Sequence, residues 1–385
     1  MRIALVGGPM YDPLYDEIAA FRHDAGLDVE IVARLPHPAL NRFIKSSFEG
    51  GDALDLISTH TKYAPSQAPW LSPLDDDVAP DLVDDLLARP VELSRIGGKL
   101  LQVPRNLDVR LLHYRTDLLE RPPHNWNELM DAATAARHVY GFLFPGRDSG
   151  LFGTFYELLV SAGGELFDEA LSPAFDSAAG RWAIEQIVEL HHVRRVTPRE
   201  LPDWHYDEIS AAFRDGGAAM ISDWPGSYHL YRDPATCRVR DRIGLALLPV
   251  GPANVRAAYA GCHSFAIPRS ARNREGALAL LQHLTSFAAQ LGEARRGAIP
   301  CRARALTAVR AEAGAGSAAE RRWQLLAETE QTMIIPPRFA AYPQCEDALW
   351  RSVQRAMVGE WSPADALRRA AADVQAIVAE HVPAG

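Results

Sequence analysis

The chain has 385 residues, 48% of them hydrophobic and 23% charged, and a formal net charge of −9. That length exceeds one ordinary core and suggests about two to three domains, and the composition is that of an ordered globular protein. No window approaches the roughly 18 to 20 apolar residues of a membrane-spanning helix, and the acidic balance excludes the basic surface that a nucleic-acid partner needs.

Arg2 to Val6 alternates and is rich in β-formers, Gly7-Gly8-Pro9 breaks it, Leu14 to Phe21 has helical spacing, and Val29 to Ala33 follows Gly26 as a second strand. This β-α-β opening predicts a parallel sheet. Gly7-Gly8 is not a dinucleotide fingerprint, because Pro9, Tyr11 and Asp12 stand where G-x-G-x-x-G places glycine. The opening MRIALVGG has one arginine and too short an apolar stretch for the core of a signal peptide, which runs to roughly 7 to 15 residues. The expectation is a cytoplasmic protein or an exported one whose leader is missing from the sequence.

Leu40 to Phe48 reads as a helix and Asp55 to Ser58 as a third strand. His60-Thr61-Lys62-Tyr63 follows it, polar and aromatic. Ligands of open parallel sheets sit beyond the carboxyl ends of strands, so this segment is a candidate for contact, with a plain surface loop as the alternative. The acidic run Asp75-Asp76-Asp77 reads as a solvated helix start, not a metal site. Ile96-Gly97-Gly98-Lys99 predicts a tight hairpin. Leu100 to Val103 then reads as a strand that Pro104 interrupts, since proline cannot donate to a ladder. A second strand runs from Val109 to Tyr114. The polar cluster Arg105, Asn106 and Asp108 at the break is the expected place for a chain crossing between two lobes to present side chains to a cleft.

Trp126 to Arg137 reads as a helix and Gly141 to Phe144 as a strand, and a glycine-containing loop leads to the helix Thr154 to Ala162. Ser177 to His192 is amphipathic; His191 and His192 are adjacent, so they point apart and cannot share a metal. After the helix Trp204 to Arg214, Ala218 to Ser222 reads as a buried strand that delivers Asp223-Trp224-Pro225-Gly226 at its carboxyl end. Ile243 to Leu248 is a strand, and Tyr259 to Pro268 is the second candidate crossing. Helices at Glu275 to Thr285 and Phe287 to Ala294 precede a two-helix tail, Tyr342 to Met357 and Pro363 to Val382.

Cys237, Cys262, Cys301 and Cys345 form no C-x-x-C pair, so buried free thiols are the plain reading, with one or two disulfides open in an oxidising compartment. No G-x-S-x-G, H-E-x-x-H or P-loop occurs.

Several segments together resemble the extracellular solute-binding proteins of sugar ABC transporters, the broad family that includes maltose-binding protein. They are IGGKLLQVPRNLDVRLLHYRTDLLE; FYELLVSAGGELFDE with its SPAFDS turn; YDEISAAFRDGGAAMISDWPGSY; AGCHSFAIPRSARNREGALALLQHLTS; GAIPCRA; and the tail from Tyr342. The resemblance spans essentially the whole chain. It implies an α/β, two-lobed periplasmic-binding-protein fold of class II type with hinge crossings, lobe I being residues 1–108 and 255–303 and lobe II residues 109–254 and 304–385. It implies a monomeric, non-enzymatic, periplasmic or extracellular protein, without cofactor, metal or catalytic residues, that closes on a small carbohydrate and presents it to the permease subunits of a membrane importer. Such a family is exported, so the sequence is expected to be a mature or trimmed form or one with a misplaced start.

Carried onto this sequence, the family's ligand-binding positions fall at His60, Tyr63, Asn106, Asp108, Tyr156, Trp204, Asp223, Trp224, Gly261, His263 and Arg338. The family often has an aromatic residue after the glycine at Gly261, where this chain has Cys262 and His263. Trp224, Trp204, Tyr63 and Tyr156 could offer faces to the C–H surface of a sugar, and Asp108, Asp223, Asn106 and His60 could bond its hydroxyl rim. Two other readings stay open: Arg105, Arg147 and Arg338 clamping an anionic ligand such as a sugar acid, sugar phosphate or sulfonate, and a two-lobed carbohydrate-active enzyme using Asp108 and Asp223 as paired carboxylates.

Overall fold

The structure is a computed structural model and describes residues 1–381. In chain order its strands are Arg2–Val6 (β1), Glu30–Leu35 (β2), Leu56–His60 (β3), Arg95–Ile96 (β4), Lys99–Leu100 (β5), Val103–Val109 (β6), Leu111–Arg115 (β7), Tyr140–Leu143 (β8), Ala218–Asp223 (β9), Ile243–Ala246 (β10), Ala258–Ala266 (β11), Ile299–Pro300 (β12) and Met333–Ile334 (β13). Seven of them make one sheet, in spatial order β12-β6-β11-β3-β1-β2 with β13 on β11; four make another, β10-β7-β9-β8.

In the larger sheet β1 runs parallel to β2 and β3, as the β-α-β opening requires. The helix Asp12–Ala25 ends on Gly26 in the left-handed conformation and buries Leu14, Ile18 and Phe21. These residues join Ile3, Leu5, Val6, Leu40 and Ile44 in one core. The smaller sheet has its own core around the helix Asp148–Ser161. That helix is buried along nearly its whole length, mostly through apolar residues, and is covered by the helices Ala178–Val188 and Tyr342–Met357. Ile96-Gly97-Gly98-Lys99 is a hairpin turn with both glycines at positive φ, 57° and 79°.

The chain does not break at Pro104. That residue lies within β6, opposite Ser264 of β11, at a register shift between His263 and Ser264. β12 reaches only Leu107 and Asn106 on the other side, so the missing N–H falls where the ladder is already irregular. The break comes instead at Arg110, the single residue between β6 in the larger sheet and β7 in the smaller. Its N–H donates to Tyr259 O at 3.1 Å. Its side chain, wholly buried, bonds Glu157 and Thr154 at 3.0 Å and Gly150 O at 2.8 Å.

The return passage is the segment from Leu247 to Ala257. Tyr259 to Ala266, expected as a crossing, is the strand β11 in the middle of the larger sheet. A third passage brings β13 alongside the start of β11 before the helix Tyr342–Met357.

Ser177 to His192 is α-helical only to Val188 and finishes as a π turn over Glu189–Val193. The last helix is Pro363–His381; its expected final residue, Val382, lies outside the described residues. The four cysteines are buried and reduced, with Cys262 and Cys301 sulfurs 3.8 Å apart. Among the described residues no helix is long and apolar enough to cross a membrane.

Candidate functional site

Between the two sheets lies a cavity of about 80 Å³. From the larger-sheet side Tyr11, His37, His60, Lys62, Asp108 and His263 line it, and from the smaller-sheet side His205, Tyr206, Asp207, Asp223 and Trp224. Five of these residues stand at or just beyond the carboxyl ends of parallel strands: Tyr11 after β1, His37 after β2, His60 at the end of β3, and Asp223-Trp224 at the end of β9. The start of the helix Tyr206–Arg214 supplies His205, Tyr206 and Asp207. Asp108 and His263 come from the two central strands, where Gly261 pairs with Asp108 and His263 with Asn106 and His60. Gly261 carries no side chain because the His60 ring occupies the place a Cβ would take.

His263 is the centre of the first wall. Its Nε2 lies 2.7 Å from Asp108 Oδ2 and its Nδ1 lies 2.6 Å from His37 Nε2. The His60 ring stands edge-on to it at 5.2 Å between centroids. Burial raises the Asp108 carboxyl to about 7 and lowers His263 to about 3, so both partners are driven toward their uncharged forms. His37 and His60 are lowered for the same reason, and each neighbouring imidazole reinforces the shift. Asn106 donates to Asp108 Oδ2 at 3.0 Å, while Asp108 Oδ1 has no partner among the described residues.

The second wall is built on Asp223, whose carboxyl burial raises to about 6. Tyr231 donates to its Oδ2, and its Oδ1 has no partner among the described residues. The Trp224 ring lies 5.3 Å from that of Tyr206 and 5.9 Å from that of Tyr259, with the Arg110 guanidinium 5.3 Å from its centroid. His205 Nε2 and Ser210 Oγ are likewise buried without a partner among the described residues.

The strong cations around the cleft are committed to protein acceptors. Arg105 forks onto Glu293, with Nε at 3.2 Å from Oε1. Lys62 is 2.7 Å from Glu346, Arg110 is 3.0 Å from Glu157, and Arg147 is 3.1 Å from Asp148. Arg338 donates to Thr61 O at 3.2 Å. Arg214 also lines the cavity; its Nη1 donates to Thr236 O at 3.0 Å and its Nε has no partner among the described residues, so what faces the cavity uncommitted is this N–H together with carboxyl, imidazole and hydroxyl groups beside aromatic rings.

Of the positions singled out in the sequence, His60, Asp108, Asp223, Trp224 and His263 line this cavity. Asn106 and Gly261 act one step behind it, on Asp108 and His60. Tyr63 lines a neighbouring groove and donates to Glu346 at 2.9 Å. Tyr156 is buried and its hydroxyl lies 3.4 Å from Ile335 O; Trp204 packs against the core of the smaller sheet; Arg338 is held by Thr61. The sequence points to the Trp204 to Asp207 segment, of which His205, Tyr206 and Asp207 line the cavity and Trp204 does not, and it passes over Tyr11, His37 and Tyr259. The first two could have been found, because they follow β1 and β2 as His60 follows β3.

A larger, open depression of about 640 Å³ lies beside β10 on the smaller-sheet side. It is shared by none of the unpartnered Asp108 and Asp223 oxygens. Among the described residues no group of three His, Cys, Asp or Glu side chains is arranged to hold a metal ion.

Residues 7–291 match the family model described as bacterial extracellular solute-binding protein. A probable ABC transporter-binding protein of Deinococcus radiodurans is 28% identical over 213 residues, covering 51% of this chain and 49% of that protein. A mannitol-binding protein of Pseudomonas aeruginosa is 26% identical over 57% of this chain and 52% of its own length. The chain thus matches about half the length of these two curated relatives. Among solved structures, maltose-bound MalE3 of T. maritima superposes with a TM-score of 0.89 at 26% identity, over 98% of this chain and 99% of that one. A ribitol complex of a solute-binding protein from Agrobacterium radiobacter superposes with a TM-score of 0.86 at 21% identity, over 98% of both chains.

Proposed function

Because the chain belongs to the bacterial extracellular solute-binding protein family, we propose that it captures a neutral carbohydrate or polyol between its two lobes and hands it to the permease of an ABC importer. The observation that carries this reading is the pairing of unpartnered acceptors with aromatic faces. Asp108 Oδ1 and Asp223 Oδ1 face one cavity from opposite lobes, and Trp224, Tyr206 and Tyr11 stand beside them. Hydroxyl groups are donors that such oxygens can accept, and an apolar C–H face packs on the rings. The fold neighbours include proteins solved with maltose and with ribitol, which is consistent with this ligand class.

The anionic reading is disfavoured by the same geometry. Arg105, Arg147 and Arg338 are each held by a protein acceptor, and freeing Arg105 or Arg338 would leave a buried carboxylate or carbonyl unmatched. The protein acts as a monomer outside the cytoplasm, carries no turnover and needs no cofactor in this proposal. A thermal-shift screen of the purified chain against hexoses, pentitols, hexitols, sugar acids and sugar phosphates tests it. A ligand at 100 times its Kd stabilises by about 2.7 kcal/mol. The expected result is a shift with neutral compounds; a shift confined to anionic ones, or conversion of a bound sugar on long incubation, would overturn the proposal.

A further inference from the structure

Lys62 and Glu346 join the two lobes by an ion pair of 2.7 Å in which both side chains are almost completely buried, 4% and 5% exposed. Glu346 is held on several sides. Tyr63 donates to its Oε1 at 2.9 Å, Tyr342 donates to its Oε2 at 2.7 Å, and Lys62 reaches both oxygens. Lys62 also donates to Tyr259 at 2.9 Å, so the pair is braced by tyrosines from both sides. A flexible surface pair would not hold one geometry; this one is fixed by neutral hydrogen bonds in a dry environment.

Its position matters more than its strength. Lys62 lines the inner cavity of about 80 Å³. Glu346 lines a separate groove of about 430 Å³ between the lobes, in which Tyr63, Trp70 and Trp350 offer rings and Gln344 Oε1 is buried without a partner among the described residues. Ser149 borders both spaces. The ion pair therefore stands as a partition between a small chamber and a roomy one, and a ligand that filled both would have to pass through it.

We infer that the Lys62–Glu346 bridge sets the length of the ligand: it closes the chamber at one sugar or polyol unit and keeps further units out of the Trp70 groove. The inference rests on the proposed carbohydrate reading and adds a size limit to it. A second ring entering from the inner chamber displaces the lysine from a buried carboxylate, leaving that charge without its partner, and this is a larger penalty than one extra stacking contact offsets. Removing the charges on both sides leaves side chains of similar length that can be pushed aside without stranding a buried charge, so a longer chain can reach Trp70, Tyr63 and Trp350.

Calorimetric titration of the full chain with glucose, galactose, mannose, mannitol and ribitol as single units, and with maltose, cellobiose and maltotriose as longer ones, tests this. Expected for the natural protein is binding of at least one single-unit compound with every di- and trisaccharide weaker by roughly tenfold or more. The double variant Lys62→Met/Glu346→Gln, checked by circular dichroism and a thermal melt, should shift that ratio toward the longer sugars. If it does not fold, Glu346→Gln alone, whose carbonyl oxygen accepts from one of Tyr63 and Tyr342 while its amide N–H donates to the other hydroxyl, should shift the ratio in the same direction. Binding of a trisaccharide by the natural protein as tightly as any single unit would overturn the size limit while leaving the carbohydrate reading intact, as would an unchanged ratio in a folded variant. Absence of binding by any neutral compound of either length would overturn both.

Discussion

His263 Nε2 lies 2.7 Å from Asp108 Oδ2 on neighbouring central strands, in a space that both groups enter at the expense of their charge. The carboxyl is raised and the imidazole lowered by one cause, loss of water. A hydroxyl-bearing ligand brings hydrogen-bond donors to Asp108 without bringing a charge, so it supplies what the unpartnered Oδ1 lacks.

Acid titration should separate the two groups. Asp108 moves from 3.8 to about 7 on folding, so between those values the native state keeps a proton that the unfolded chain has lost. Its contribution to stability is therefore present at low pH and falls as pH rises from about 4 to about 7. Melting temperatures of the natural protein and Asp108→Asn across that interval should show the variant gaining on the natural protein as pH rises. A difference independent of pH would mean that Asp108 is ionised throughout.

The buried histidines act in the opposite sense. His263 and His205 fall from 6.5 to about 3, so the unfolded chain binds protons first, and their contribution to stability grows as pH rises from about 3 to about 6.5. Replacing His263 by glutamine should flatten that part of the stability profile. The profile can be read from urea midpoints at fixed pH values.

Trp224→Ala should weaken binding of the ligand found in the screen by roughly tenfold or more, about 1.4 kcal/mol. The ring is only half-buried and borders the cavity, so the melting temperature of the free protein should move by no more than about 4 °C. A large fall in melting temperature with unchanged affinity would place Trp224 in the packing alone.

Affinity should be almost independent of salt. A neutral ligand carries no charge for salt to screen, and Arg105, Arg147 and Arg338 are already held by Glu293, Asp148 and Thr61 O. Titrations at roughly 0.05 M and 0.5 M sodium chloride should agree within about twofold, and Arg338→Gln should change affinity little. A steep decline with salt would return weight to an anionic ligand.

Ligand should make the protein more compact. The described conformation encloses only about 80 Å³, less than the roughly 300–1,000 Å³ of an ordinary ligand site, so it is a closed form; a sugar must enter a more open one, which then draws together over it. X-ray scattering at saturating ligand should give a smaller radius of gyration than the free protein. An unchanged value would mean that a ligand enters without hinge motion.

The parts of the fold legible in the sequence are those fixed by local chemistry. Alternation and glycine stops located β1 and the helix after it, and the Gly97-Gly98 pair gave the hairpin because both positions need positive φ. Asp223-Trp224 was legible as a cavity-lining pair because it ends an apolar strand with groups a core would not choose. Pro104 misled because a proline can sit in a central strand where a register shift removes the need for its N–H, and that shift is a property of β11, about 160 residues later in the chain. His37 and Tyr11 were missed for a related reason. Each is unremarkable locally and meets His263 only through the order in which β1, β2, β3 and β11 assemble.

With only Arg110 between β6 and β7, the first crossing has no slack. Near that residue the lobes can turn but hardly slide, so displacement grows with distance from it. β2 lies four strands from β6 and β8 two strands from β7, levers of about 19 Å and about 10 Å at the usual strand spacing. Ile31 on β2 and Tyr140 on β8 are each 38% exposed, at the outer edges of their sheets. A fluorophore pair on those two residues would sit at the long ends of both arms, and the protein would then work as an optical gauge of its own solute.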